Sequence, residues 1–216
     1  MVEVHPLLPV FRAAAEGRFP PVDGAVEVMP PDAAGTWAIV EFTGHAYVLA
    51  EVSLAELEAA GADGFGGAGH PDVQRLLAGP NGWIGCHDAV LVRRPGGQEQ
   101  PLAVRTDLDD HPRVSRSRQH RRQVTVYGDD DGLVVVGIGL AGRTEMAVEL
   151  FEPGGTGARG VGRRLIGGAL AALTDEDWCF AQVSPGNAAS LRAFLAVGFV
   201  PIGSEVLIHP HRRLDR

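Results

Sequence analysis

From Val22 to Arg94 the apolar positions come in short alternating or continuous runs cut by glycine and proline. Gly24 to Met29 predicts a short strand stopped by Pro30 and Pro31. Trp37 to Phe42 and Ala46 to Val52 predict a hairpin turning at Thr43-Gly44-His45. Ser53, with Glu56 at the third helical position, makes a capping box and predicts a helix over Leu54 to Ala60. A second helix is expected from His70-Pro71-Asp72 to about Gly79-Pro80, and a buried strand at Ala89 to Val92.

Pro95 to Pro101 carries two prolines and two glycines, the composition of a linker, and divides the chain into residues 1–100 and 101–216. Beyond a polar stretch from Arg105 to Arg122, the pattern predicts three strands in an antiparallel meander: Gln123 to Tyr127, Leu133 to Ile138 and Glu145 to Phe151. The rhythm then changes. A glycine-rich loop at residues 154–160 leads to a helix from Val161 to Leu173, a strand from Trp178 to Val183, a helix from Ala188 to Val197 stopped at Gly198, and an extended run from Phe199 to Ile208. The second part therefore reads β-β-β-α-β-α-β, in an α/β (α+β) fold.

Composition narrows the functions open to such a chain. The 216 residues are 45% hydrophobic, enough to bury a core, and no apolar run reaches the roughly 18 residues of a membrane span. Glu3, Pro6 and Pro9 spoil the N-terminus as a signal peptide, so a cytoplasmic location is expected. A net charge of −8 argues against nucleic acid and mildly favours a cationic partner such as an amine. The basic residues are all arginine, which with the abundance of alanine and glycine points to a GC-rich bacterial genome. Cys86 and Cys179 share no ligand spacing and read as two small buried thiols, and the scattered histidines predict no metal site.

Two segments carry chemistry. Gly157-Ala158-Arg159-Gly160-Val161-Gly162-Arg163-Arg164-Leu165 lies between a strand and an amphipathic helix. Its glycines admit a ligand close to the backbone, the new helix aims free N–H groups and its positive dipole end there, and Arg159, Arg163 and Arg164 add cations, which together make a pyrophosphate seat. Some 25 residues on, Asn187 caps a helix whose Leu191, Phe194 and Leu195 recur at core-facing spacing.

Together these segments resemble the GNAT superfamily of N-acyltransferases, which carries a Q/R-x-x-G-x-G/A loop after its fourth strand and an N-x-x-S-x-x-x-Y-x-x-x-G-F helix after its fifth. Here the loop is residues 157–162, and the helix runs through Asn187, Ser190, Phe194, Gly198 and Phe199. The likeness covers about Gln123 to Ile208, and Gly157 and Phe194 depart from the pattern. It implies a GNAT-like fold with a mixed central sheet flanked by helices, and transfer of an acetyl group from acetyl-CoA to a primary amine of a small molecule or peptide, in a monomer or homodimer without a metal. It further implies that Arg159, Gly160, Val161, Gly162, Arg163, Asn187, Ser190 and Phe194 surround CoA, and that backbone N–H groups of Leu150, Phe151 and Glu152 hold its pantetheine arm and polarise the thioester. The base would be a carboxylate on the fourth strand, Glu145 or else Glu149. With phenylalanine at 194, Ser184 or Ser190 is left to protonate the departing thiol.

Other readings compete. Gly137-Ile138-Gly139-Leu140-Ala141-Gly142 matches a dinucleotide fingerprint, yet the following residues predict a strand where that site needs a helix. The arginines between 113 and 122 follow Asp107, Asp109 and Asp110 and lack interleaved aromatics, so a self-compensated solvated segment is expected there. The three aspartates also offer an attraction for an amine. The alternative to an enzyme is a degenerate transferase that binds or senses acyl-CoA. Residues 1–100 have no assigned counterpart, and a diverged second GNAT-like lobe fits their elements.

Overall fold

The computed structural model describes residues 4–152, 160–174 and 177–210. The chain divides into two compact units, residues 1–90 with 202–216, and residues 91–201.

The first unit begins with helix α1 (Leu7–Ala15), which the prolines hid from sequence reading. Pro6 is its N-cap and Pro9 lies in the first turn, where a missing N–H costs nothing because that donor has no helical partner. Strand β1 (Val26–Met29) pairs in parallel with β3 (His45–Leu49), which pairs antiparallel with β2 (Trp37–Phe42). The β2–β3 turn places Gly44 at φ 72°, which glycine adopts without strain. Helix α2 (Leu54–Ala59) carries the expected capping box, and α3 (Pro71–Ala78) ends at Gly79. Leu57, Val73 and Leu77 of these helices pack on Ile39 and Val48 of the sheet and on Val206 and Ile208.

Those last two residues belong to strand β10 (Val200–His209), whose Ser204 to Ile208 pair antiparallel with Glu41 to Trp37 of β2. The division of the chain therefore differs from a single cut near residue 100, because the last strand completes the sheet of the first unit. Strand β4 (Trp83–Arg93) runs out of this unit into the second and is longer than Ala89 to Val92, since its first half carries exposed Cys86 and His87 and shows no apolar run. Of the two cysteines expected to be buried, only Cys179 is.

In the second unit, β5 (Ala103–Val104), β6 (Arg122–Gly128), β7 (Gly132–Ile138) and β8 (Thr144–Leu150) are antiparallel neighbours, and β9 (Cys179–Val183) is parallel to β8. This is a mixed α+β layer: a central mixed sheet with helices on both faces. Helix α4 (Pro112–Arg118) covers one face through Val114, packed on Val126, Leu133 and Val135. Helix α5 (Val161–Ala172) covers the other with Leu165, Ile166, Ala169 and Leu170, and α6 (Ala188–Ala196) follows β9. Glu149 is paired with Leu133 and Ala147 with Val135, and paired residues share a face. Glu145, Ala147 and Glu149 thus lie on the α4 side, and Met146, Val148 and Leu150 on the α5 side.

The segment expected to be a linker is docked. Gly96 N–H donates to the Leu170 carbonyl at 2.9 Å and Leu102 N–H to that of Gly168 at 3.1 Å. A Cβ at Gly168 would stand 2.9 Å from the Gln100 carbonyl oxygen and 2.9 Å from Leu102 Cγ, so the glycine lets the strap lie against the helix. Gly168→Ala should lower stability by about 1–3 kcal/mol through overpacking. Thermal unfolding checks this, and an unchanged or raised Tm refutes the tight approach.

Candidate functional site

Strands β8 and β9 meet at one register point, Glu145 opposite Phe180, whereas β7 holds β8 over seven. Toward its C-terminal end β8 therefore has a ladder partner on one edge and, among the described residues, an unpaired edge that opens as a fork on the other. Phe151 N–H donates to the Asp131 carbonyl at 3.0 Å on the β7 side. Successive N–H groups of a strand point to opposite neighbours, so those of Val148 and Leu150 face the opening. Of the three residues expected to offer donors there, Leu150 is so directed and Phe151 is engaged elsewhere. Val148, which sequence reasoning passed over, joins Leu150.

The closed end of this fork is locked by charge. Glu145 is 4% exposed, and its carboxylate accepts from Arg143 Nε at 2.9 Å, Arg121 Nε at 2.8 Å and the Leu140 backbone N–H at 3.2 Å. Arg121 also donates from Nη2 to Gln182 Oε1 at 2.9 Å, so one guanidinium bridges β8 and β9. Burial alone would raise the pKa of Glu145, and the two guanidiniums outweigh it, holding the carboxyl below the usual range. A carboxylate so engaged is a poor proton acceptor, and the first of the two expected bases serves instead as a structural anion.

This lock also explains the dinucleotide-like glycines. A Cβ at Gly139 would lie 2.2 Å from the Glu145 carboxyl carbon, so that glycine makes room for the ion pair. The residues after it form a short 3₁₀ turn, Leu140–Gly142, between antiparallel strands, as the predicted strand required.

Glu149, the other expected base, is two pleats along on the α4 face and 42% exposed at its side chain. Arg113 Nε approaches its Oε2 at 3.7 Å, and Arg113 Nη2 approaches the Val148 carbonyl at 3.5 Å. Phe151 lies beside the same mouth, its ring 5.8 Å from that of His111, the N-cap of α4; Glu152 is exposed.

On the α5 side, Gly160 caps the helix at φ 90°, a left-handed conformation that calls for glycine. Gly162 has no such excuse. Its φ is ordinary, and a Cβ there would meet Ala193 of α6 at 3.6 Å and Leu150 at 3.7 Å, which is normal packing. The packing does not require a bare backbone at 162. Val161 is half-buried and Arg163 is exposed beside it. Arg164 pairs with Asp129 and, at 2.6 Å, with Asp131, tying the helix to the β6–β7 turn. Arg159 lies outside the described residues.

Asn187 caps α6, its side chain accepting from Ser190 N–H at 3.1 Å. Phe194 is 2% exposed and packs edge-on against Phe199, ring centroids 4.9 Å apart. Its ring is thus part of the core, while the Asn187 cap of the helix is exposed. Asp107 and Asp109 are paired with Arg105 and Arg118, as expected of a self-compensated segment. Arg113 and Arg121 break that expectation by turning onto the sheet, a distinction no local pattern encodes.

In the first unit, His87 stands with Glu41 and Ser204, which invites comparison with a nucleophilic triad. Both partners reach the same ring nitrogen, Nε2, at 2.9 and 3.0 Å, whereas a relay needs the acid on one nitrogen and the hydroxyl on the other. Glu41 also accepts from Gly69 N–H at 3.1 Å, so the trio pins a loop. Among the described residues no group of three or more His, Cys, Asp or Glu side chains could hold a metal, and no helix is long and apolar enough to cross a membrane.

No protein-family model matches the sequence, and no match is found among curated proteins. The chain is distantly similar to solved structures of GNAT-family proteins. One is described as an acetyltransferase of that family from Novosphingobium aromaticivorans, at 14% identity and a TM-score of 0.43, over 62% of this chain and 69% of that one. A second is a GCN5-related N-acetyltransferase from Kribbella flavida (12%, TM-score 0.41, 66% and 65%). A third, from Sphaerobacter thermophilus, bears the same description (14%, TM-score 0.38, 68% and 58%), so this chain spans less than two thirds of the latter two.

Glu145→Gln removes the charge that two buried guanidiniums share, and should cost about 3–5 kcal/mol in urea unfolding at neutral pH. Because the folded carboxyl is held below its ordinary value of 4.5, its contribution is complete above that pH and is lost as pH falls through the folded value. The acid limb of the stability curve should accordingly be flatter in the variant, and parallel acid limbs would contradict the assignment.

Proposed function

We propose that the chain transfers an acyl group from acetyl-CoA to a primary amine, with the thioester held in the β8–β9 fork. The observation that carries this reading is the bare first turn of α5 beside that fork, where Gly162 meets no packing demand for glycine. The loop and helix motifs at residues 157–162 and 187–199 support the same donor.

The residues present fit acetyl-CoA. The N–H groups of α5 and the Arg163 guanidinium suit its pyrophosphate. The N–H groups of Val148 and Leu150 suit amide-like acceptors along its arm and the oxygen of its thioester carbonyl. The amine approaches from the α4 face. There Glu149 takes its proton as nitrogen attacks the carbonyl carbon, while the strand N–H groups stabilise the oxyanion. Collapse breaks the C–S bond, leaving an amide and CoA as thiolate. A thiol with a pKa of about 8.5 departs without an obligatory acid, so phenylalanine at 194 is compatible with turnover. That same residue favours a second reading, a CoA-binding protein without fast chemistry, which predicts affinity for acetyl-CoA and no transfer to any amine.

Thermal unfolding with acetyl-CoA, CoA and NAD in parallel tests the donor. Acetyl-CoA and CoA at 100 times Kd should each add about 2.7 kcal/mol, and NAD nothing. Gly162→Ala should hold or raise the Tm of the free protein while reducing the acetyl-CoA shift, because alanine suits a helix better than glycine does. No shift with millimolar CoA ligands defeats the proposal. For the chemistry, Glu149→Gln should lower kcat about 10²–10⁴-fold with acetyl-CoA stabilisation retained; unchanged kcat removes Glu149 from the role.

A further inference from the structure

Arg113 is the poorly satisfied cation on the acceptor face. Its Nε is buried without a hydrogen-bond partner, and the guanidinium's closest approaches among the described residues are 3.5 Å to the Val148 carbonyl and 3.7 Å to Glu149. Its neighbours are bound far better. Arg121 makes contacts of 2.8 and 2.9 Å, Arg143 reaches Glu145 at 2.9 Å, and Arg118 reaches Asp109 at 2.6 Å. Burial lowers the pKa of Arg113, Glu149 works against this, and Arg121 and Arg116 push the same way as burial, so the one carboxylate beside it offsets the cost of this guanidinium only in part.

The balance of charge points in the same direction. Arg121 and Arg116 act on Arg113 as like charges and Glu149 as the opposite one, while Glu145 is engaged by Arg121 and Arg143. A plain amine would meet the like charge of Arg113, and a purely anionic ligand that of Glu149. Each is disfavoured, whereas a molecule with both charges one carbon apart satisfies both side chains. The loose 3.7 Å pair is then a placeholder that a zwitterion replaces with two close contacts.

Resting on the transferase reading above, we propose that the acceptor is a free α-amino acid, its carboxylate bound by Arg113 and its nitrogen presented to Glu149 at the mouth of the β8–β9 fork. The reaction is N-acylation: the amine nitrogen gains the acyl carbon, the thioester C–S bond breaks, and the nitrogen's proton passes to Glu149. Val148 links the two halves, since its carbonyl meets Arg113 and its N–H faces the fork.

The test measures thiol release from acetyl-CoA by the full chain, with the twenty protein amino acids, their α-amides and phosphate-bearing amines as acceptors. Wild type should use at least one amino acid with kcat/KM about 10–100-fold above that of its amide. Arg113→Gln should remove that preference, chiefly through a raised KM for the amino acid and with a smaller loss on its amide, while Arg113→Lys should restore part of it. Equal use of amides, equal loss of both substrates in Arg113→Gln, or preference for phosphate-bearing amines overturns the proposal. Stabilisation by acetyl-CoA with no turnover of any amino acid overturns it too. Thermal shifts with acetyl-CoA, run on each variant, separate these failures. Absence of a shift in the wild type sinks the transferase reading itself, and loss of the shift only in Arg113→Gln marks a folding defect, in which case Arg113→Lys decides.

Discussion

The second unit turns on one buried ion cluster. Glu145 gathers two guanidiniums and a backbone N–H in a space cleared by Gly139, and Arg121 carries the connection on to Gln182 of β9. Buried charges survive only when each is matched, and the matching here fixes where two parallel strands touch. From that point β8 continues beside β7 while its other edge opens. The fork is therefore defined at its base by electrostatics and along its length by a missing ladder.

What surrounds the opening follows from the pleat. Alternation sends Glu149 to the α4 face and Leu150 to the α5 face. The first turn of α5 and the pair of Arg113 with Glu149 thus lie on opposite faces of one strand. The two described arginines of this segment differ as well, Arg164 being held by Asp129 and Asp131 while Arg163 is exposed.

Much of this was legible in the sequence, and the part that was not has a physical reason. Strand and helix boundaries after Arg122 followed from alternation, capping and glycine stops, because each is local. The capping box at Ser53 and the C-terminal glycine at 198 behaved as local rules predict. Helix α1 was hidden because proline is read as a breaker, although in a first turn it breaks nothing. The supposed linker failed for a different reason: its glycines and prolines permit docking as readily as freedom, and only Gly167 and Gly168, some seventy residues away in the chain, reveal which. The site divides similarly. The glycine loop and the helix cap are encoded locally, whereas the roles of Glu145 and Glu149 depend on which arginines reach them across the sheet.

Strand β10 has a bearing on how the molecule is made. Glu41 and Ser204, which face each other across β2 and β10, are 163 residues apart in sequence. A chain emerging from the ribosome at about 5–20 residues per second presents the edge of β2 many seconds before its partner exists. During that interval the edge of β2 that β10 will cover is unpaired. β2 thus gains its second neighbour only after every other strand of the described sheet has been made.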